Sequence, residues 1–371
     1  MKVNKNKKSN KKSKKHIFKH KKNITRNKSL INKKNTSEKI PSIFNATIYC
    51  FILIKSIIIL ILIIIFSFLY QIKEKEFYQL SFNQKMKDYL TKKFVIFANR
   101  GCPHCGLFSF FIVQIGCVNK YLLDGYMPII DIQNFDNVYN KGNKNISNPW
   151  ELFFYQVNNY TLEEVKKYAN DSKYVECRGD WYRPDESNIY YQNDSIKYWH
   201  GIHKKYMPIR NEIMKEAEIN IKRFFGKSKN ILGVLIRGTD YVKGRPPRHP
   251  IPPKVERVII DVKEMDKNYN YDFIYFTSED EQIRNKFISE FKDKVKYLIP
   301  KFSSHYINHN ITDVNVQIKE YHDFVRIYLI NIIIISKCLD IVISRCSGAA
   351  GVFVLTEGFR HTKVYNLGLY K

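Results

Sequence analysis

The sequence predicts an α/β protein of two doubly wound domains facing one another across a cleft, preceded by a single transmembrane helix. Three observations carry that prediction. Short apolar runs alternate with helix-period segments at least four times in the second half of the chain. A 23-residue stretch near the N-terminus carries only one charge. The cationic excess is concentrated ahead of that stretch. A length of 371 residues suits two ordinary domains plus extensions. An apolar share of 44%, with 15% aromatics, is enough to bury a core and excludes a wholly disordered or fibrous chain. Seven cysteines are too few and too scattered for a disulfide scaffold or a structural zinc array.

Residues 1–40 hold sixteen of the 62 Lys and Arg and one acid, Glu38, so over half of the +27 net charge sits there. Lys, Asn and Ser dominate, and the segment cannot bury enough surface to offset ordering entropy, so 1–46 is expected to be a disordered basic tail. The run from Ile48 to Tyr70 follows, charged only at Lys55. As a helix it spans about 34 Å, enough for the hydrocarbon core of a bilayer. Lys55 can snorkel, and Tyr49 and Tyr70 suit the interfaces. The run is too long, and starts too late, for a cleaved signal peptide. Residues 47–70 are therefore expected to be an anchor in the lipid bilayer. The tail then serves as the cytoplasmic orientation signal of a single-pass type II protein rather than as a nucleic-acid arm. A charged stem, 71–93, leads to a first α/β domain over 94–229 and a second over 230–371.

In the first domain VIFA (95–98) reads as a strand, LFSFFIVQIGCVNKYLLDG as a helix ending at Gly125, and PIIDI (128–132) as a second strand. Helices are expected near 150–155, 162–168 and 204–225, and 171–194 reads as polar and turn-rich. In the second domain strands are expected at 231–236, 272–277, 295–299, 340–344 and 363–367. Helices follow Pro253, Ser278, Asp323 and Ser347.

In open α/β sheets ligands bind beyond the carboxyl ends of the strands. Three loops occupy such positions. Arg237-Gly238-Thr239-Asp240 joins an always-charged guanidinium to a glycine that lets backbone amides approach an anion. Thr277-Ser278-Glu279-Asp280 follows the next strand. Ser344-Arg345-Cys346-Ser347-Gly348 places hydroxyls and amides at a helix start, where anions are favoured. Converging, they would make a phosphate-sized site. Taken singly, RGTD also reads as a surface loop and SRCSG as a helix cap.

The stretches IRGTD (Ile236–Asp240), IYFTSEDE (Ile274–Glu281) and ISKCLDIVISRCSG (Ile335–Gly348) resemble the three motif blocks of the GDP-fucose-dependent α-1,2/α-1,6/protein O-fucosyltransferase superfamily. GLFS (Gly106–Ser109), GYMPIID (Gly125–Asp131) and NPWE (Asn148–Glu151) are similar to its capsule-type relatives. The resemblance implies a GT-B glycosyltransferase with two Rossmann-like domains, covering roughly 94–371. It implies that Arg237 contacts the donor β-phosphate. It likewise implies that Thr277 to Asp280, with Ser344, Arg345, Ser347 and Gly348, hold the nucleotide beside Gly238 and Thr239. The loop Asn99-Arg100-Gly101 falls on the acceptor side. The superfamily's first block usually reads His-any-Arg, and Leu235 stands at the histidine position, so no imidazole acts there. Asp240 and His249 are left as candidate bases in the following loop.

The donor implied is GDP-fucose and the acceptor a glycan or glycoprotein. No Asp-any-Asp pair is present, so no metal or other cofactor is expected. With the basic tail read as an orientation signal for the membrane segment, no nucleic-acid partner is expected. A lumenal Golgi or ER site suits an imported nucleotide sugar, and sequons at Asn145, Asn159, Asn170, Asn193 and Asn310 fit such a lumen without deciding it. Two alternatives come from other classes. Cys102-Pro103-His104-Cys105, after a strand and before a helix, has the local form of a thioredoxin-like thiol oxidoreductase. A lectin-like protein that keeps the fold without turnover is the other, given Leu235.

Overall fold

The computed structural model describes residues 42–98, 100–101, 103–177, 182–299 and 314–371, with only the backbone of 42–48, 75–82, 239, 240 and 314. The basic tail up to residue 41, Asn99, Cys102 and Asn310 therefore lie outside the described residues. The chain forms two compact units, 1–76 and 77–371.

Helix α1 (Ser42–Thr91) contains Tyr49–Glu74, the one stretch among the described residues that is long and apolar enough to cross a membrane by length and composition. The side chains of Tyr49–Glu74 are all exposed, an apolar surface that suits a bilayer. The stem expected over 71–93 is helical through Thr91.

The second unit holds two α/β regions. In the first, β1 (Lys93–Ala98), α2 (Leu107–Leu123), β2 (Met127–Ile130), α3 (Leu162–Tyr168) and β3 (Asp171–Glu176) build a three-stranded parallel sheet in the order β2-β1-β3. It is smaller than a doubly wound domain. Strand β3 falls in the stretch expected to be turns. Its sequence, DSKYVE, has no apolar face because it is a largely exposed edge, so periodicity carries no signal. Residues Pro149–Leu152 form a 3-10 turn rather than a longer helix. Helices α4 (Glu186–Ile189), α5 (Asn193–Tyr206) and α6 (Asn211–Phe225) follow. The single helix expected over 204–225 is broken at Met207 to Arg210, because Pro208 cannot donate into a helix there.

The second region contains β4 (Ile231–Leu235), α7 (Thr239–Lys243), α8 (Val255–Tyr269), β5 (Phe273–Thr277), α9 (Glu281–Phe291), β6 (Val295–Lys296), α10 (Val314–Ser336), β7 (Asp340–Ser344), α11 (Ser347–Leu355) and β8 (Thr362–Tyr365). All strands are parallel, in the order β6-β5-β4-β7-β8. The apolar sequences ILGVL and DIVIS are buried throughout, as central parallel strands covered on both faces must be. Strand β6 is shorter and α10 longer than the sequence suggests.

One apolar core joins the two regions, running from Phe97 and α2 to α10, β7 and α11. Close approach of α2 to α11 depends on Gly351, where a Cβ would overlap the Phe108 ring. Beside it Ser109 Oγ donates to Ser347 Oγ at 3.1 Å. A disulfide between Cys117 on α2 and Cys177, just after β3, closes a 60-residue span of the first region.

Candidate functional site

The strand order reverses direction between β4 and β7, which makes the crevice beyond their carboxyl ends the topological switch point of the sheet. Arg237 leaves β4 there and Ser344 ends β7. The Arg237 amide donates to Ser344 Oγ at 3.0 Å, and that hydroxyl lies 3.4 Å from the Leu235 carbonyl. The loop after β5 reaches the same point. Glu279 Oε1 accepts from the Gly238 amide at 2.8 Å and stands 3.3 Å from Arg237 Nε. The Arg237 guanidinium also lies over the Tyr241 ring, 4.7 Å from its centroid. Glycine is needed at 238 because a Cβ would collide with the Asp280 side chain.

Several neighbours hold this arrangement rather than face into it. Asp280 caps α9, accepting from the amides of Gln282 at 2.9 Å and Ile283 at 3.1 Å. Its own amide donates to Ser278 Oγ at 3.2 Å. Thr277 is buried, and its carbonyl accepts from the Ile236 amide at 3.1 Å. Cys346 caps α11 through its sulfur, which accepts from the Ala349 amide at 3.3 Å, and burial pushes its thiol up to about 11. Leu235 is buried in the apolar core, so the position offers no polar group.

Arg345 is turned away. Its Nε donates to Glu186 at 2.6 Å and its Nη1 to Asn366 at 3.1 Å. Thr239 and Asp240 lie on α7, with only their backbone described. His249 is exposed and meets the edge of Tyr241 at 5.3 Å between centroids, one ring removed from Arg237. Arg100 and Gly101 are exposed, and the Arg100 amide donates to Glu176 at 2.9 Å. Neither is tied by a hydrogen bond or ion pair to the Arg237 cluster among the described residues.

Two further residues enter the site, Tyr328, which no motif covers, and Ser109, the last residue of the GLFS stretch. Tyr328, on α10, sets its hydroxyl against Gly348, where a Cβ would collide with it. Burial, then the nearby Cys346, pushes its phenol well above the usual range against the opposing pull of Arg237. Ser109 reaches Ser347 from the other region. Nothing local marks Tyr328, which sits in a long helix, and GLFS marks Ser109 without showing which loop it meets.

A separate hollow of about 560 Å³ lies between α6 and α10, lined by Phe153, Glu212, His322 and Arg326 among others, and does not include Arg237. Among the described residues no group of three His, Cys, Asp or Glu side chains comes together. Cys105 is disulfide-bonded.

No protein-family model matches the chain, and no curated protein matches it in sequence. Solved structures do resemble it. The fucosyltransferase NodZ from Bradyrhizobium aligns at a TM-score of 0.44 and 12% identity, over 72% of this chain and 94% of that one. A NodZ α-1,6-fucosyltransferase soaked with GDP-fucose aligns at 0.42 and 13%, over 72% and 93%. POFUT1 in complex with GDP-fucose aligns at 0.45 and 9%, over 74% and 98%. Likeness at this level assigns no residue a role.

Proposed function

We propose that the chain is a membrane-anchored glycosyltransferase that moves a sugar, fucose from GDP-fucose, to a glycan or glycoprotein acceptor without a metal ion. The observation that carries this reading is the placement of the Arg237 guanidinium, the Gly238 amide and the Ser344 hydroxyl together at the switch point of a parallel sheet. A fixed cation and an inward amide at that position suit a diphosphate. The choice of guanosine and fucose comes from the motif resemblance of the loops at 236–240, 274–281 and 335–348.

In the reaction the bond from the anomeric carbon to the β-phosphate oxygen breaks and the sugar passes through an oxocarbenium-like state. The bonding pair stays on the phosphate, where Arg237 neutralises the growing charge. An acceptor hydroxyl closes on the anomeric carbon and gives its proton to a base, for which Asp240 and His249 are the candidates. The site residues Thr277, Ser278, Glu279, Asp280, Ser347 and Gly348 surround that donor pocket in this reading, with Arg345 shaping it through Glu186. Arg100 and Gly101 belong to the acceptor side.

The topology proposed is single-pass type II, with the catalytic part in a Golgi or ER lumen if the source is eukaryotic. The disulfide between Cys117 and Cys177 supports an oxidising compartment.

The test is release of nucleotide by the full-length protein in detergent from GDP-, UDP- and CMP-sugars, with Arg237→Ala as control. Release from GDP-fucose alone, lost in the variant and indifferent to EDTA, is expected. Loss with EDTA and recovery with Mn²⁺ overturns the metal-free mechanism. Tight GDP binding with no turnover on any acceptor favours the second reading, a binding protein without catalysis, which the buried apolar Leu235 supports.

A further inference from the structure

Arg245 and Arg248 are held in left-handed backbone, at φ 43° and 64°. They are two of the seven non-glycine residues with positive φ among the described residues. Glycine would adopt that conformation without the steric cost an arginine meets, and strain of this kind collects where function needs a side chain in one place. Both arginines lie in a stretch that is built rather than loose. Five of the chain's twelve prolines fall between 246 and 253. The stretch also pairs with the C-terminal tail: the Arg248 amide donates to the Tyr370 carbonyl at 2.9 Å, the Tyr370 amide to His249 at 3.0 Å and the Ile251 amide to Gly368 at 3.0 Å. The result is a short two-stranded ribbon. It adjoins the candidate site through Tyr241, which lies under Arg237 on one side and meets His249 on the other.

Among the described residues the side chains of the ribbon are cationic with no acidic side chain beside them in sequence. Neither 241–255 nor 358–371 contains an acid. Lys243, Arg245, Arg248 and Lys371 are all exposed, and among the described residues none of the four makes an ion pair. Seven other arginines, Arg100, Arg210, Arg237, Arg257, Arg326, Arg345 and Arg360, each face a carboxylate, whereas among the described residues Arg183, Arg223 and Arg284 do not. What sets Arg245 and Arg248 apart is their left-handed backbone on one short ribbon. A rigid set of unneutralised guanidinium groups recognises anions at little ordering cost.

We propose that this ribbon is an acceptor subsite for an anionic group, a carboxylate or a sulfate or phosphate ester carried by the glycan that receives the sugar. The inference rests on the transferase reading for the word acceptor. Its charge argument does not depend on turnover.

The experiment uses the full chain in detergent and an array of oligosaccharides matched in sequence but neutral, uronic-acid-containing, O-sulfated or O-phosphorylated, with and without saturating GDP. Retention of one or more charged classes at least about tenfold above the neutral class, falling as salt rises, is expected. The class retained identifies the source of the charge. The double variant Arg245→Gly/Arg248→Gly relieves the backbone strain, so it should fold and melt no lower than the parent. It should lose the charged-over-neutral preference while its GDP affinity stays within about twofold. Equal retention of all classes, or an unchanged preference in the variant, overturns the proposal. So does a parallel loss of GDP affinity, which would place these cations on the donor. Failure of the parent to bind GDP, with anionic glycans still retained, sinks the transferase reading and leaves the ribbon an anion-binding surface.

Discussion

Arg237 and Glu279, leaving the ends of the neighbouring strands β4 and β5, face each other at 3.3 Å, so the guanidinium aimed at the crevice already has a carboxylate beside it. The same carboxylate takes the Gly238 amide. An arginine and a backbone amide are the two donors a diphosphate would use, and Glu279 engages both. In the proposed reading a diphosphate has to share or displace that carboxylate.

Glu279→Gln keeps an acceptor for the Gly238 amide and removes the negative charge. Affinity for GDP should rise by about three- to tenfold, most strongly at low salt, because repulsion between like charges is lost. Calorimetric titration measures it. Weaker binding would mean instead that Glu279 orients Arg237 for the ligand.

Arg237→Ala should lower the rate of sugar release from the donor by about a hundredfold or more, the usual cost of removing a donor aimed at developing charge. Arg237→Lys should recover only a minor part, since an ammonium lacks the planar fork and the stacking on Tyr241. A far-ultraviolet circular dichroism spectrum matching the parent would separate this from misfolding.

His203 is buried on α5, and desolvation, aided by nearby His200, pushes its imidazole down to about 3. Burial lowers His322 in the same direction. The unfolded chain binds these protons near pH 6.5 and the folded one does not. Their contribution is therefore complete above pH 6.5 and is lost as the pH falls through that value. For His203 alone the loss approaches about 1.4 kcal/mol per pH unit below 6.5 until its folded value is reached. Urea midpoints at pH 7.5 and 5.5 should differ accordingly, and His203→Gln should flatten the difference. A midpoint that rises on acidification would contradict the account.

Replacing Cys117 and Cys177 by Ala should destabilise the second unit by about 4 kcal/mol, as expected for a cross-link spanning 60 residues. The melting temperature of the parent should fall at least as far under strong reductant, which also opens the Cys105 disulfide. An unchanged melt in both would show that the first region draws its stability elsewhere.

Much of the framework was legible locally. ILGVL, DFIYFT and DIVIS are apolar runs with polar residues at their ends, so the strand ends that carry Arg237, Thr277 and Ser344 follow from composition and spacing. The 23-residue apolar run near the N-terminus was legible for the same reason. Strand β3 was not, because an exposed edge needs no alternation. The break at Pro208 is hidden in the sequence by the strong helical period on either side.

Sequence by itself determined the buried strands of the second region, the residues at their ends, and that one segment suits lipid, because these depend on apolar runs and periodicity within a few residues. Tertiary structure decided which ends meet. Strand order put Ser344 against Arg237 and Glu279 against Gly238, sent Arg345 to Glu186, and brought Tyr328 and Ser109 to the helix start at Ser347. Those neighbours are separated by up to 238 residues, and their contacts come from burying one shared core, an energy that no local window contains.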